Sequence, residues 1–161
     1  MTDFEDLYQR YARDVYRFAL YLCGNKALAE DIASETFVWV WTVRDAIRTE
    51  SVKAYLFTIA RNLHADGRRR EARHVAIPEV LLDPSPGPEV EALDRQALEA
   101  VLLALQQIPE VDRAALLMRA QDGLPYEEIA RSLGLSVSAA KVKVHRARLR
   151  LAELRDPRRR S

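Results

Sequence analysis

Basic side chains concentrate at two places in the chain, and groups of this kind bind phosphates. Residues 141–160 contain nine lysines and arginines but only two acidic residues. Residues 61–73 contain five arginines and two acidic residues. A solvated helix face would explain either cluster alone. Two clusters, one near the end of each half of the chain, favour a polyanionic partner such as nucleic acid.

The overall charge conceals this pattern. The 161 residues have a net charge of +1, although residues 141–160 alone have a net charge of +7. Residues 76–92 carry four acidic residues and no basic one, and residues 93–140 are also net negative. The positive field is therefore local, and the pI does not reveal it.

Residues that could carry out covalent chemistry or bind a metal are sparse. Cys23 is the only cysteine, which excludes an internal disulfide, and its apolar helical surroundings predict a buried thiol. Cys23 and the three histidines lack the spacing of metal ligands. The sequence has neither a Gly-rich phosphate loop nor a nucleophile beside a base. We therefore expect a protein that is not an enzyme and that needs no cofactor, metal or small-molecule substrate.

Composition predicts an all-α protein. Apolar residues make up 48% of the chain, only five glycines occur, and the helix formers Ala, Leu, Arg and Glu dominate. No run of about 18 apolar residues is present, so no membrane-spanning helix is predicted. The first residues form an acidic amphipathic pattern rather than a signal peptide. A cytoplasmic protein without membrane contact is expected.

Three amphipathic helices are predicted in the first half of the chain. Apolar residues recur at steps of three and four over residues 4–22, 29–40 and 52–63. Gly24–Asn25 separates the first two helices. Ser51 is suited to cap the third helix. Three such helices can bury one small common core.

Prolines interrupt the helical pattern in the middle of the chain. Four of them lie in the acidic stretch, at Pro78, Pro84, Pro86 and Pro88. We therefore predict an extended linker over residues 76–92, between a helical domain of residues 1–75 and a second helical domain of residues 93–161. Helical periodicity resumes at Leu93.

The second domain contains the pattern of a helix, a tight turn and a further helix, between Tyr126 and Ala147. Ala130 is small where two helices would cross, Gly134 suits the turn, and Ser136 is suited to cap the second helix. An ordinary helical hairpin would have the same pattern. Because the second helix is strongly basic, we favour a helix-turn-helix that places this helix in the DNA major groove.

The basic helix divides into a buried stripe, an outward face and two charged flanks. The predicted buried stripe comprises Val137, Ala140, Val144, Ala147, Leu151 and Leu154. Lys141 and Arg148 lie on one flank, and Lys143 and Arg150 on the other. We expect small central residues to approach base edges and flanking cations to bind phosphates. The predicted DNA-contacting residues are Ser136, Ser138, Ala139, Lys141, Val142, Lys143, His145, Arg146 and Arg148.

Two helices of the first domain carry further candidate interaction residues. In the second helix, Val38 faces outward beside Trp39, as in the anchor of a protein interface, unless the tryptophan completes the core. In the third helix, Tyr55 and Phe57 lie near Arg61. Aromatic rings beside a cation can stack on unpaired bases, unless both rings belong to the core.

Four stretches in sequence order resemble the extracytoplasmic-function (ECF) sigma factors of the sigma-70 family. Residues 4–22 (FEDLYQRYARDVYRFALYL) resemble the family's first helix, and residues 29–41 (AEDIASETFVWVW) its polymerase-binding helix. Residues 55–70 (YLFTIARNLHADGRRR) resemble its promoter-melting helix, and residues 123–151 (GLPYEEIARSLGLSVSAAKVKVHRARLRL) its C-terminal helix-turn-helix. The resemblance implies a promoter-specificity subunit that binds core RNA polymerase and promoter DNA. It also implies an anti-sigma factor as a regulator.

The resemblance implies which residues meet each partner. The clamp helices of the largest polymerase subunit would contact Asp31, Ser34, Glu35, Val38 and Trp39. Residues implied to contact the −10 element or to help melt it are Arg48, Thr49, Glu50, Ser51, Tyr55, Phe57, Arg61, Asn62, Arg68, Arg69 and Arg70. The helix-turn-helix residues would contact the −35 element. The acidic linker would lie along a basic channel of the polymerase, unless it is only a solubilising spacer.

The chain departs from the family's usual residues at a few positions, namely Ser34, Trp39, Gly67, Ala139 and Ala140. Threonine and valine are usual where the two alanines stand, which predicts an atypical −35 sequence.

Two other functions are compatible with a helical protein of this kind. A stand-alone helix-turn-helix regulator would need a dimerisation or ligand surface that residues 1–75 do not display. A sigma-mimicking adaptor that binds only an anti-sigma factor would lack the basic surfaces.

Overall fold

The computed structural model describes residues 4–43, 51–67 and 88–156, with the side chains of 88–94 left out. The described part of the chain is entirely helical, which confirms the predicted all-α class. Its helices are α1 (Phe4–Cys23), α2 (Lys26–Thr42), α3 (Val52–Asp66), α4 (Pro88–Leu105), α5 (Glu110–Ala120), α6 (Tyr126–Leu133) and α7 (Val137–Arg155). They fall into two compact units, Met1–Pro84 and Ser85–Ser161.

Helices α1, α2 and α3 pack against one another around the core of the first unit. The rings of Phe18 and Phe57 stack at its centre, with their centroids 4.5 Å apart and an interplanar angle of 7°. Leu22, Val40 and Leu56 are also fully buried. Burial of such side chains contributes about 1.5–3 kcal/mol each relative to exposure, so this small core accounts for much of the unit's stability.

Local capping sets the end of α1 and the starts of α2 and α3, and the break at Gly24–Asn25 and the Ser51 cap are as predicted. α1 ends before Gly24, whose φ of 72° lies in the left-handed region that favours glycine. The Asn25 side chain then caps α2 by accepting a hydrogen bond from the Leu28 amide at 2.9 Å. Ser51 caps α3 through the Ala54 amide, with a distance of 3.3 Å between N and Oγ.

Two predicted environments in this unit are wrong. Cys23 is only half-buried, and its Sγ lies 3.3 Å from the carbonyl oxygen of Asn25. It is the last residue of α1, so it lies at the edge of the core. The predicted stripe of α3 comprises Val52, Leu56, Ile59, Ala60 and Leu63. Leu56 and Ala60 are buried, but the other three are only half-buried, and Ala54 and Phe57 are buried instead. The stacking of Phe57 on α1 accounts for this difference, because the large ring takes the central position.

The first helix of the second unit begins five residues earlier than the sequence predicts. α4 starts at Pro88, so the prediction of extended chain over residues 88–92 is wrong. Proline has a fixed φ that suits the first helical turn, where its missing N–H costs no hydrogen bond. The remainder of the predicted linker, residues 76–87, lies outside the described residues.

A buried arginine closes the C-terminal end of α4. The Arg113 side chain on α5 donates from Nε to the Leu105 carbonyl at 2.8 Å and from Nη2 to the Ile108 carbonyl at 2.9 Å. Carbonyls at a helix end have no partner within the helix, and leaving them buried and unpaired is unfavourable. Arg113 therefore satisfies the turn that joins α4 to α5, a role that the sequence pattern did not reveal.

The predicted helix, tight turn and helix is confirmed in α6 and α7. Gly134 has a φ of 68°, and the Leu135 amide bonds to the Ala130 carbonyl at 2.8 Å. The Ser136 hydroxyl oxygen accepts from the Ala139 amide at 3.0 Å and so caps α7. Within α7, Ala140, Val144, Ala147 and Leu154 are buried and Leu151 is half-buried, close to the predicted stripe. Val137 is 36% exposed instead, because it is the first helical residue and lies where the packed stripe ends.

Candidate nucleic-acid and protein interfaces

The outward face of α7 is free of packing from its own unit. Ser138, Val142, His145 and Leu149 are all exposed, and Val142 is exposed by 56%. The predicted orientation of the helix is therefore confirmed, while the contact of these side chains with DNA stays a prediction. Ser136 and Ala139 lie at the start of the helix, where the serine acts as the N-cap and the alanine is half-buried.

The departure from the family's usual residues at Ala140 concerns packing. Ala140 is fully buried against the rest of the second unit. Its small side chain therefore affects how closely α7 approaches its neighbours. It is not placed to read a base.

One flank of α7 carries exposed positive charge. Lys141 and Arg148 are both exposed. The Lys141 Nζ lies 5.7 Å from the centroid of the Tyr126 ring, and the Arg119 guanidinium lies 4.4 Å from the same centroid. The electron-rich ring face attracts both cations and connects α5, α6 and α7 around one aromatic side chain.

The other flank is neutralised by a carboxylate that sequence reasoning missed. The Lys143 Nζ lies 3.1 Å from Oδ1 of Asp112, and the Arg146 Nε lies 3.6 Å from Oδ2. The Asp112 side chain is only 7% exposed, and that of Lys143 is 25% exposed. Periodicity within α7 could not identify this partner, since Asp112 lies on α5.

The α2 surface presents aromatic and aliphatic side chains to solvent. Val38 is 43% exposed, as predicted, and Trp39 is 53% exposed, so the alternative that Trp39 completes the core is wrong. Asp31 is exposed beside them, and Glu35 is half-buried. Large apolar side chains that are ringed by acidic residues and left outside the core are typical of a protein interface.

Ser34 does not belong to this surface. It is buried within the first unit, so its predicted exposure to a partner is wrong. Serine is small enough to occupy the packed side of a helix.

Trp41 is half-exposed, and its ring meets that of Phe4 edge to face at 4.9 Å. The tryptophans are therefore not core residues of the described unit.

Tyr8 extends the aromatic group beneath this surface. Its ring meets Phe37 edge to face with centroids 4.9 Å apart. Burial raises the pKa of the Tyr8 phenol above its usual value of 10.0. The Phe4 ring meets those of Tyr8, Phe37 and Trp41, so the cluster supports the exposed Trp41 indole.

The third helix keeps part of its predicted DNA-facing set. Asn62 is exposed, and Tyr55 and Arg61 are half-buried. Phe57 is fully buried under α1, so its predicted stacking on a base is wrong. Ser51 is occupied as the N-cap. The other predicted melting residues lie outside the described residues: Arg48, Thr49, Glu50, Arg68, Arg69 and Arg70.

The described residues contain no helix whose length and hydropathy would allow it to cross a bilayer. Over the same ranges, no group of three or more His, Cys, Asp or Glu side chains is placed to hold a metal ion.

Comparison with protein families matches both halves of the chain. Residues 7–74 match Sigma-70 region 2, and residues 98–151 match Sigma-70, region 4. The first range contains the α2 and α3 surfaces, and the second contains the helix-turn-helix. The two matches occur in the order in which the corresponding surfaces lie along the chain.

Curated proteins similar to this chain include ECF RNA polymerase sigma factors. The chain is 32% identical over 158 residues to the ECF RNA polymerase sigma factor SigM of Bacillus subtilis, with 93% of each protein covered. It is also 32% identical over 158 residues to the ECF RNA polymerase sigma factor SigE of Mycolicibacterium smegmatis. In that case 95% of the chain aligns with 62% of the relative, which is therefore considerably longer.

A solved structure has a similar fold. The sigma factor RpoE of Bartonella quintana, crystallised with the anti-sigma factor NepR, superposes with a TM-score of 0.75 and 28% identity. The match covers 96% of this chain and 97% of that one.

Proposed function

The chain belongs to the ECF sigma factors of the sigma-70 family, and we propose that it directs core RNA polymerase to specific promoters. The observation that carries this proposal is the presence, in one chain and in family order, of both regions together with exposed surfaces suited to each partner. Proteins of this family are transcription factors rather than enzymes in the usual sense. We propose that this one acts without covalent chemistry of its own, in the cytoplasm, where polymerase and DNA meet.

Recognition of the −35 element is assigned to α7. Its exposed N-terminal half offers Ser138 and Val142 to base edges, while Lys141 and Arg148 lie to the side where phosphates would run. Docking a basic helix by its N-terminal half in the major groove is how helix-turn-helix proteins read sequence. A serine distinguishes bases weakly, and a valine methyl group suits the methyl of thymine.

Binding of core polymerase is assigned to the exposed side of α2. Trp39 and Val38 supply a large apolar area at its centre, and Asp31 and Glu35 supply acidic groups beside it. A central aromatic with a polar rim is the arrangement in which truncation of one residue costs the most binding energy. The clamp helices of the largest subunit are the proposed partner.

Melting of the −10 element is assigned to the exposed side of α3 and the segments that flank it. Asn62, Arg61 and Tyr55 are the described residues available for this role. A cation beside an aromatic ring can hold bases that leave the duplex. The contributions of residues 48–50 and 68–70 are proposed from the family resemblance alone.

An anti-sigma factor is proposed as the regulator of this chain. The similar Bartonella protein was crystallised with one. The apolar surface of α2 and the basic surface of α7 are both suited to being covered by such a protein, which would block polymerase and DNA together.

Promoter selection tests the proposed function. Purified core polymerase and the full chain are incubated with a genomic DNA library, and run-off transcripts are sequenced. We expect transcripts whose start sites share two conserved upstream elements and that are absent without the chain. A stand-alone regulator would instead retain specific DNA without polymerase and yield no new transcripts. An adaptor would yield neither.

A further inference from the structure

The basic residues of α7 lie along two edges of the helix. Lys141, Arg148 and Arg155 follow one another at intervals of seven residues, which returns to nearly the same side of a helix. All three are exposed. Lys143, Arg146 and Arg150 follow at steps of three and four along the opposite edge. The first set is called the open edge below, and the second set the paired edge.

Carboxylates accompany every cation of the paired edge. Asp112 lies 3.1 Å from Lys143 and 3.6 Å from Arg146, measured between the charged atoms. Arg150 lies 3.4 Å from Glu153. The pair that involves Asp112 matters most, because its carboxylate is nearly buried and therefore little screened by solvent. Glu153 and Arg150 are half-exposed and contribute little.

The open edge is not neutralised in this way. Among the described residues, no carboxylate forms an ion pair with Lys141, Arg148 or Arg155. Lys141 approaches the Tyr126 ring at 5.7 Å, but an aromatic face attracts a cation without cancelling its charge. The two edges therefore differ in the positive potential that they present to a neighbouring polyanion.

We propose that Asp112 makes phosphate binding by α7 one-sided and thereby acts as a specificity-determining residue. The proposal rests on the assignment of α7 to DNA. A phosphate that recruits Lys143 would leave the buried Asp112 carboxylate with only its longer contact to Arg146, and taking a partner away from a buried charge is unfavourable. The DNA backbone is therefore bound by the open edge.

Neutralising one edge favours specific over non-specific binding. Each cation that meets a phosphate adds to affinity for any duplex through counterion release, whatever its sequence. Asp112 prevents Lys143 from contributing to this sequence-independent affinity and weakens the contribution of Arg146, while leaving the base-reading side chains untouched. The non-specific affinity falls, and contacts to base edges decide a larger share of the binding.

The test measures how strongly the affinity of the full chain for random-sequence duplex DNA depends on salt. Fluorescence anisotropy gives the dissociation constant at several salt concentrations, and the slope of log affinity against log salt counts phosphate contacts. Lys141→Gln should lower the magnitude of the slope by about 0.9, the value for one phosphate contact. Lys143→Gln removes the same charge two residues away and should leave the slope unchanged.

Neutralising the carboxylate should have the opposite effect. Asp112→Asn keeps the size of the side chain and releases two cations, so the slope should become steeper by up to about 1.8, the value for two phosphate contacts. Glu99→Gln is the matched control, because it removes one negative charge from an exposed position on α4 and should not change the slope. Adding Lys143→Gln to Asp112→Asn should reverse part of this increase in the steepness of the slope.

Two results would overturn the inference. One is an equal loss of slope in Lys143→Gln and Lys141→Gln. The other is an Asp112→Asn variant that retains its helical circular dichroism but binds random DNA no more tightly. Run-off transcription tests the proposed function separately. If the chain supports transcription but shows either result, only the role of Asp112 is refuted. If the slopes are as expected but no transcript forms, only the proposed function is refuted.

Discussion

Val142 and Lys141 are neighbours in sequence but face different parts of the proposed DNA site. Val142 is on the outward face of α7, and Lys141 is on its open edge. Val142→Arg should change which −35 bases are preferred, because a bidentate donor favours guanine by about 1–3 kcal/mol. Selection from a randomised −35 library by the holoenzyme measures this preference. Lys141→Ala is the control and should weaken all promoters equally.

The reverse outcome would show that the helix is rotated in the groove. If Val142→Arg selects the same sequences as the unaltered chain while Lys141→Ala alters them, the base-reading face is the open edge. The physical distinction is between a side chain that contacts bases, which changes sequence preference, and one that contacts phosphate, which changes affinity alone.

Arg113 provides a prediction about stability. Replacing it with methionine leaves the Ile108 carbonyl without its donor, while the Leu105 carbonyl keeps the hydrogen bond from the Ile108 amide, and should destabilise the second unit by about 1–3 kcal/mol. Both tryptophans lie in the first unit, so their fluorescence reports that unit, while circular dichroism reports both. Arg113→Met should move one unfolding transition seen by circular dichroism to lower stability. The unfolding transition seen by tryptophan fluorescence should stay in place. Arg131→Met, at an exposed position on α6, should shift neither.

A parallel shift of both signals in Arg113→Met would contradict this assignment. It would mean that the two units unfold together rather than each around its own core. Unchanged stability would mean that water or another group satisfies the Ile108 carbonyl equally well.

Single residues also show where sequence reasoning reaches its limit. Exposure of Val38 and Val142 followed from helical periodicity, because 100° per residue fixes the face of each side chain. Burial of Ser34 and Phe57 did not follow, because it depends on what the neighbouring helices place opposite. The pairing of Lys143 joins residues 31 positions apart, and no local pattern contains that information.

At the scale of helices, the exposed side of α2 is expected to anchor core polymerase. Val38→Asp combined with Trp39→Ala should weaken core binding by about 2 kcal/mol or more, as is typical when a central aromatic anchor is removed. Biolayer interferometry with immobilised core polymerase measures the affinity. Leu103→Asp is the matched control, since Leu103 is an exposed apolar residue on α4, in the other unit. Unchanged affinity of the double variant, with its helicity preserved, would exclude this face as the anchor.

The α3 surface is expected to act after the first encounter with DNA. Arg61→Ala with Asn62→Ala should impair promoter opening more than closed-complex binding, because these residues are proposed to meet bases only when the strands separate. Permanganate reactivity of thymines near the start site measures opening, and filter binding measures the closed complex. A collapse of closed-complex affinity with normal opening would show that the role is misassigned.

Helix boundaries could be predicted wherever a side chain caps the backbone. Asn25, Ser51 and Ser136 each accept a hydrogen bond from an amide three residues later, which is a local interaction that the sequence displays. The start of α4 was missed because a proline-rich segment disfavours helix in general, while a single proline at the first turn favours it.

At the scale of the whole molecule, the proposed role in transcription initiation depends on two units with different proposed partners in one chain. The first unit presents an apolar surface on α2, and the second presents a basic helix with one neutralised edge. Neither surface alone distinguishes a sigma factor from an adaptor or a DNA-binding regulator. Their presence together, with both family regions in order, is what the assignment to transcription initiation requires.

The most direct measurement of this claim is run-off transcription from one promoter taken from the library selection. The reactions contain core polymerase alone, the chain alone, or both. A transcript with a defined start site is expected only when both are present, and it should be lost when the −35 or −10 element is scrambled. Tight binding of the chain to the same DNA without polymerase, together with no transcript when core is added, would contradict this claim.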